Sequence, residues 1–390
     1  MAEQKRWKKR PENSTWGDYG PDDQLGRMNE LTPAKVKQGI AEVKEGKTFC
    51  LSMPLDYPGG NALNPRRHPP QLRPSVRVDK PNWLYRTQWQ NPAMIDVIND
   101  DVVIMHLQYS TQWDTLAHVG ALFDANGSGK AEPTFYNGYR GGVDIVGPSD
   151  AKQAGAVPGT FVEAKGTSSA NALGVENMAV KCLQGRGVMI DLFAHYGRKR
   201  HAVGYDDLMR VMAADGIEVE AGDFVLLRTG FDEVILEGKK KPDSHTLDTS
   251  CTGLDGGDTR LQQWVTETKL VALISDNYAV ELMPTSFAPG DCVMLPLHHH
   301  CLFKTGVNLG EIWQLSACRL AEEEQPQPLP PDGPAPQIAR RRRLPRHPCC
   351  DGVTAALRAT PLRGRLITLF NGSNSHNTGA EATWRRTKYP

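Results

Sequence analysis

The run Gln108-Tyr109-Ser110-Thr111-Gln112-Trp113-Asp114-Thr115-Leu116-Ala117-His118 sets a carboxylate and an imidazole four residues apart, with two amides upstream. Two chemistries suit that set. Carboxylate and imidazole together bind a divalent cation of the Zn or Mn type, which lowers the pKa of bound water to about 7. Alternatively, Asp114 orients His118 as a general base. A plainer reading makes Asp114 a cap and His118 a core histidine with its hydrogen bonds satisfied.

A second group is His298-His299-His300, followed after Gly306 by Glu311. Histidines leaving an apolar stretch, with a carboxylate one short element later, can supply metal ligands. Exposed imidazoles at a helix start are the alternative. Arg228 and Asp276 each close an apolar run, where open α/β sheets place ligands. With Trp113 they are the candidate substrate contacts. The sequence has no Walker A loop and no GxSxG elbow.

These residues need elements to position them. Val102–Tyr109 is apolar and β-branched and predicts a buried strand. Strands are also predicted over Thr48–Pro54, Arg186–Leu192, Phe224–Gly230, Leu270–Ser275 and Asp291–Leu297, the last running into the histidines. Helices are expected over Lys35–Glu45 behind the Thr32-Pro33 cap, and over Asn171–Lys181, Tyr205–Ala214 and Thr259–Thr268. The turn-rich residues 11–33 read as an ordered loop. Residues 57–100, rich in Pro and polar side chains, read as a lid or an oligomer arm. The Ala/Gly/Ser-rich residues 150–170 read as a mobile stretch. Helices alternating with buried strands put the body in the α/β class.

Composition narrows the function. Hydrophobic residues make up 39% of the 390 and charged ones 23%, as in ordinary soluble proteins. No apolar run is long enough to span a membrane, and the basic N-terminus lacks the apolar core of a secretory signal. Eight scattered cysteines without a CxxC pair fit a reducing, cytoplasmic setting. The zero formal charge hides a contrast: residues 318–390 carry twelve Lys+Arg against six Asp+Glu, so the rest is mildly acidic. Such a body offers no basic face for nucleic acid. The Pro/Arg-rich segment 318–390 reads as a disordered tail, with frame-shifted or unrelated sequence as alternatives. The expected organisation is a basic extension over 1–11, one domain over 12–317 and this tail.

Around Asp114 the sequence resembles the cyclase family of metal-dependent hydrolases, which includes bacterial kynurenine formamidase. The family signature is H-x-G-T-H-x-D-x-P-x-H, with a late His and Glu. Anchoring on Asp114 aligns Thr111 with the signature Thr, His118 with its last His, and Glu311 with the late Glu. Gln108 and Gln112 stand where the signature has its first two His. This T-Q-W-D-x-x-x-H form resembles the family's longer branch. Spacing to Glu311 selects His299 as the late His, whereas the longer branch's pattern points to His298.

The resemblance implies a swivelling β/β/α fold: a mixed sheet or small barrel flanked by helices, in a homo-oligomeric dimer or tetramer. It also implies a divalent metal, Zn or Mn, held among Gln112, Asp114, His298 or His299, and Glu311, with His118 as proton shuttle. The implied activity is hydrolysis of a small amide, lactone or related carbonyl substrate, arylformamidase-like. The alternative is a metal-free member of the same fold that binds a small molecule or performs a lyase or cyclisation step.

Overall fold

The computed structural model describes residues 5–44, 46–149, 166–284, 293–318, 354–357 and 365–370. Its centre is a mixed eight-stranded sheet. Four parallel strands form the middle: Gln184–Asp191, Phe224–Arg228, Ala272–Ser275 and Asn308–Glu311. Gln112–Asp114 adds antiparallel to the last of these. On the other side, Arg365–Phe370 pairs antiparallel with Gln184–Asp191, followed by Thr354–Leu357 and Thr48–Cys50.

The parallel strands are buried on both faces by helices and loops, so their apolar side chains point both ways instead of alternating with exposed polar ones. Val188, Ile190, Val225, Leu227, Leu273 and Leu309 join one core with Leu208 and Val211 of helix Tyr205–Asp215 and Leu261 and Val265 of helix Thr259–Thr268. Met189, Leu226, Ile274 and Trp313 point the other way, into a core shared with Met28 and Leu31. Near this second core, helix Pro33–Ala41 is tied down by Lys35, whose ammonium bonds the buried Asp223 at 2.9 Å.

Most predicted elements occur, with their ends moved by a few residues where strand edges and helix caps take over. Two differ in kind. The predicted buried strand over Val102–Tyr109 is only Asp101–Ile104, half-exposed and paired with Gln71–Pro74 in a two-stranded ribbon outside the main sheet. A β-branched run signals extended backbone, not which partner it finds. The predicted strand over Asp291–Leu297 instead ends in a helix over Pro296–His298, where Pro296 fits the first helical turn. Residues 291 and 292 lie outside the described residues, as does most of the stretch 150–170. The tail 318–390 is also largely outside them; beyond Cys318 its described segments, Thr354–Leu357 and Arg365–Phe370, are strands. Among the described residues, no helix is long and apolar enough to cross a membrane.

Candidate metal centre

The site forms where strand Gln112–Asp114 lies against strand Asn308–Glu311. The register pairs Leu309 with Asp114 and Glu311 with Gln112. Paired residues share a face, and a period of two places Gln112 and Asp114 on the same side. Three polar side chains are therefore presented together on the buried face of a sheet edge.

Above them sits the short helix Pro296–His298, which continues as a π-helical turn over His299–Thr305. It closes at Gly306 in the left-handed region, φ 67°, where its backbone meets that of Gly26 too closely for a side chain. The helix start is clamped by Glu281. Its carboxylate accepts from the backbone N–H of Leu297 (3.1 Å) and of His298 (3.0 Å), and lies 2.8 Å from His298 Nδ1. A carboxylate can only accept, so Nδ1 carries the proton and Nε2 faces inward.

His298 Nε2 lies 3.2 Å from Glu311 Oε1 and 3.7 Å from Asp114 Oδ2. Ligand atoms of Asp114, His298 and Glu311 all fall within 4.8 Å of one another. All three side chains are buried, Asp114 to 1% exposure. Gln112 donates its amide N–H to Glu311 Oε2 at 2.7 Å and so fixes that carboxylate. His118 stands at the rim with its side chain 30% exposed and Nε2 3.8 Å from Asp114 Oδ1.

The donor set fits a cation. Both Asp114 oxygens are buried and, among the described residues, neither has a hydrogen-bond donor. A buried carboxylate left so costs several kcal/mol, which a metal ion removes. Two carboxylates and one imidazole suit Zn or Mn. Glu281 supplies the outer carboxylate that ligating histidines commonly have.

The charges tell the same story. Burial would raise the Asp114 carboxyl, but the His298 and His118 imidazoles prevail and hold it below the usual carboxylate range. Glu311 is pushed up by burial and by the Asp114 charge beside it. Burial also opposes charge on His298, but the carboxylates of Asp114, Glu281 and Glu311 beside it raise it well above an ordinary histidine. His118 is lowered by desolvation, so its imidazole is neutral near pH 7.

Other sequence candidates lie elsewhere. His299, one residue on, turns about 100° away along the helix and packs its ring against Phe303 at 4.9 Å. His300 pairs with Thr266 Oγ1 at 2.8 Å. Trp113 alternates to the opposite face of its strand, edge-on to Trp313 at 5.1 Å. Arg228 is buried between Asp191 (3.0 Å) and Glu233 (2.6 Å). Asp276 accepts from the backbone N–H of Thr229 and Gly230, both at 2.8 Å. Neither is drawn to the triad, because a strand end inside an ion-pair or turn network looks in sequence like one facing a ligand.

Two residues escaped sequence reasoning. Glu281 ends the stretch Asp276-Asn277-Tyr278-Ala279-Val280-Glu281 after a strand, with no spacing that ties it to the histidines. Arg67, in the long Pro-rich segment, donates to the Gln108 carbonyl at 2.7 Å, and its charge acts on both Glu311 and His118. Sequence distance hid it.

Comparison with known proteins places this arrangement. The Cyclase family model, described as "Putative cyclase", matches residues 51–282. No curated protein matches the sequence. The chain is similar to the crystal structure of a novel cyclase, with 26% identity and a TM-score of 0.55 over 80% of this chain and 87% of that one. It also aligns with isatin hydrolase A from Labrenzia aggregata, bound to benzyl benzoate, at 12% identity and a TM-score of 0.41, covering 86% and 98% of the chains. Isatin hydrolase A from Ralstonia solanacearum aligns at 13% and 0.40, covering 87% and 97%. At that distance neither hydrolase bears on the chemistry of this chain. The family match spans more than half of the sequence and includes Asp114, His118 and Glu281, and the chain belongs to the cyclase family.

Proposed function

We propose that the protein is a metal-dependent hydrolase of a small amide, lactone or related carbonyl compound. The observation that carries this reading is the buried meeting of Asp114, His298 and Glu311, with both Asp114 oxygens lacking a donor among the described residues. These three residues would hold a divalent ion, Zn or Mn. Once bound, it supplies a Lewis acid that polarises a carbonyl and acidifies water.

The rest of the chemistry belongs to the chain. Glu281 keeps the His298 tautomer and Gln112 keeps Glu311 in place. His118, neutral and at the rim, takes a proton at Nε2 from the attacking water and returns it to the leaving nitrogen or oxygen. Within this class the finer reading is an arylformamidase-like activity on formylated anilines. The chain would act as a homo-oligomer, which fits the exposed Val76, Val78, Leu84 and Ile95 of its Pro-rich arm.

The test is to strip the full chain with chelator, restore Mn²⁺ or Zn²⁺, and follow hydrolysis of formanilide. Activity should vanish and return with the ion, and H118A should lower kcat by about 10²–10⁴. Activity indifferent to stripping would remove the metal from the account. A fully active H118A would remove the proton shuttle.

A further inference from the structure

Glu281, which sets the His298 tautomer, is delivered by an uncommon piece of backbone. The two residues before it, Ala279 and Val280, both lie in the left-handed region, at φ 81° and 54°. For a β-branched residue that conformation is strained, and it persists only where the surroundings impose it. Here residues 252–258 do so. The Leu254 N–H donates to the Val280 carbonyl at 3.1 Å, and the Leu282 N–H donates to the Leu254 carbonyl at 2.8 Å. The side chains of Leu254 and Val280 are buried in one core with Leu297. Backbone bonds on both sides of Glu281 therefore set where its side chain starts.

Gly256 lies where that side chain ends. A Cβ built on Gly256 would stand 1.9 Å from Glu281 Oε2 and 3.2 Å from the Cβ of Leu297. The φ of Gly256 is outside the left-handed region, so its backbone suits any residue and conformation does not call for glycine. Space does. Glu281 has no room to yield, because it is fully buried and its carboxylate already meets the N–H groups of Leu297 and His298 and the His298 ring. The Gly256 backbone is held as well, its carbonyl accepting from the Gln262 amide at 2.8 Å on helix Thr259–Thr268.

We propose that Gly256 is a positioning residue for the metal centre: it leaves the room in which the Glu281 carboxylate reaches the start of the histidine helix. An alanine there would drive the carboxylate off the backbone N–H groups and off His298 Nδ1, freeing the ring to turn or to change tautomer. The inference rests on the metal-dependent reading of the site and extends it to a residue that has no side chain of its own.

The test is a double-variant cycle on the full-length, chelator-stripped chain: wild type, G256A, E281A and G256A/E281A, each titrated calorimetrically with Mn²⁺ and melted without metal. G256A should bind Mn²⁺ about 10–100-fold more weakly than wild type, as loss of an outer carboxylate does. In the E281A background the alanine should change affinity by less than about twofold, because the group it would displace is gone. Should E281A fail to fold, E281D serves instead: its carboxylate is withdrawn by one methylene, and the alanine should again cost less than in wild type. A glycine needed only by its own backbone would lower affinity and melting temperature equally in every background, and that result would overturn the inference, as would a G256A that binds like wild type. Failure of wild type to take up Mn²⁺ would strike the metal reading instead. The metal-free melting temperatures then still decide whether Gly256 and Glu281 act together, since G256A should destabilise wild type more than E281A.

Discussion

At the scale of single residues, the site depends on His298 offering Nε2 rather than Nδ1. Glu281 enforces that choice while also capping the helix on which His298 sits. E281Q can place an N–H against Nδ1 and so favour the wrong tautomer. It should weaken Mn²⁺ or Zn²⁺ binding about 10–100-fold, the usual range for outer-shell partners; unaltered affinity by calorimetry would contradict that role. Proton and metal also compete at His298. Its three carboxylate partners outweigh burial and keep its pKa well above 6.5, so the metal-free protein carries that proton at pH 7. A raised pKa keeps the proton on His298 up to higher pH, and the ion must displace it. Metal affinity should therefore fall with decreasing pH, with net proton uptake by the buffer during titration. Affinity that stays flat between about pH 6 and 8 would contradict the competition.

At the scale of elements, the triad is only as well placed as the sheet edge that presents it. Three of the four parallel strands are legible as apolar runs, because burial on both faces leaves that signature, whereas the short Asn308–Glu311, with Asn, Gly and Glu, is not. The antiparallel addition of Gln112–Asp114 is not either, since three residues carry no periodicity and the stronger run upstream pairs elsewhere. The helix at Pro296 was misread as strand for a related reason: short apolar runs are ambiguous, and the proline that begins the turn was the decisive clue. Helix Pro33–Ala41 is locked to the sheet by Asp223, which is fully buried and accepts from Arg186 at 2.9 and 2.7 Å and from Lys35 at 2.9 Å. D223A would leave buried Lys35 and Arg186 with only the half-exposed Glu220 as counter-charge, and should cost about 3–5 kcal/mol in urea unfolding. A loss under about 1 kcal/mol would show that the pair relaxes into water.

At the scale of the whole molecule, chemistry is assembled from segments far apart in the chain. Asp114 and Glu311 are brought to one face of the sheet edge by strand pairing, and His298 arrives from above on a separate helix. Sequence alone named all three, together with His118 and Gln112, because a carboxylate or imidazole at a strand end is informative wherever its partner lies. It left His298 and His299 unresolved, because their difference is a rotation along a helix that spacing does not encode. It also read Arg228 and Asp276 as ligand contacts, whereas the fold pairs each with its own neighbours.

The most direct test is elemental analysis and calorimetry of chelator-stripped full-length protein titrated with Zn²⁺ and with Mn²⁺. D114N and H298A are measured beside wild type, with circular dichroism as a check on folding. The account predicts one ion per chain for wild type and loss of that binding in both folded variants. Well-folded wild type that takes up neither ion, or variants that bind as wild type does, would contradict it.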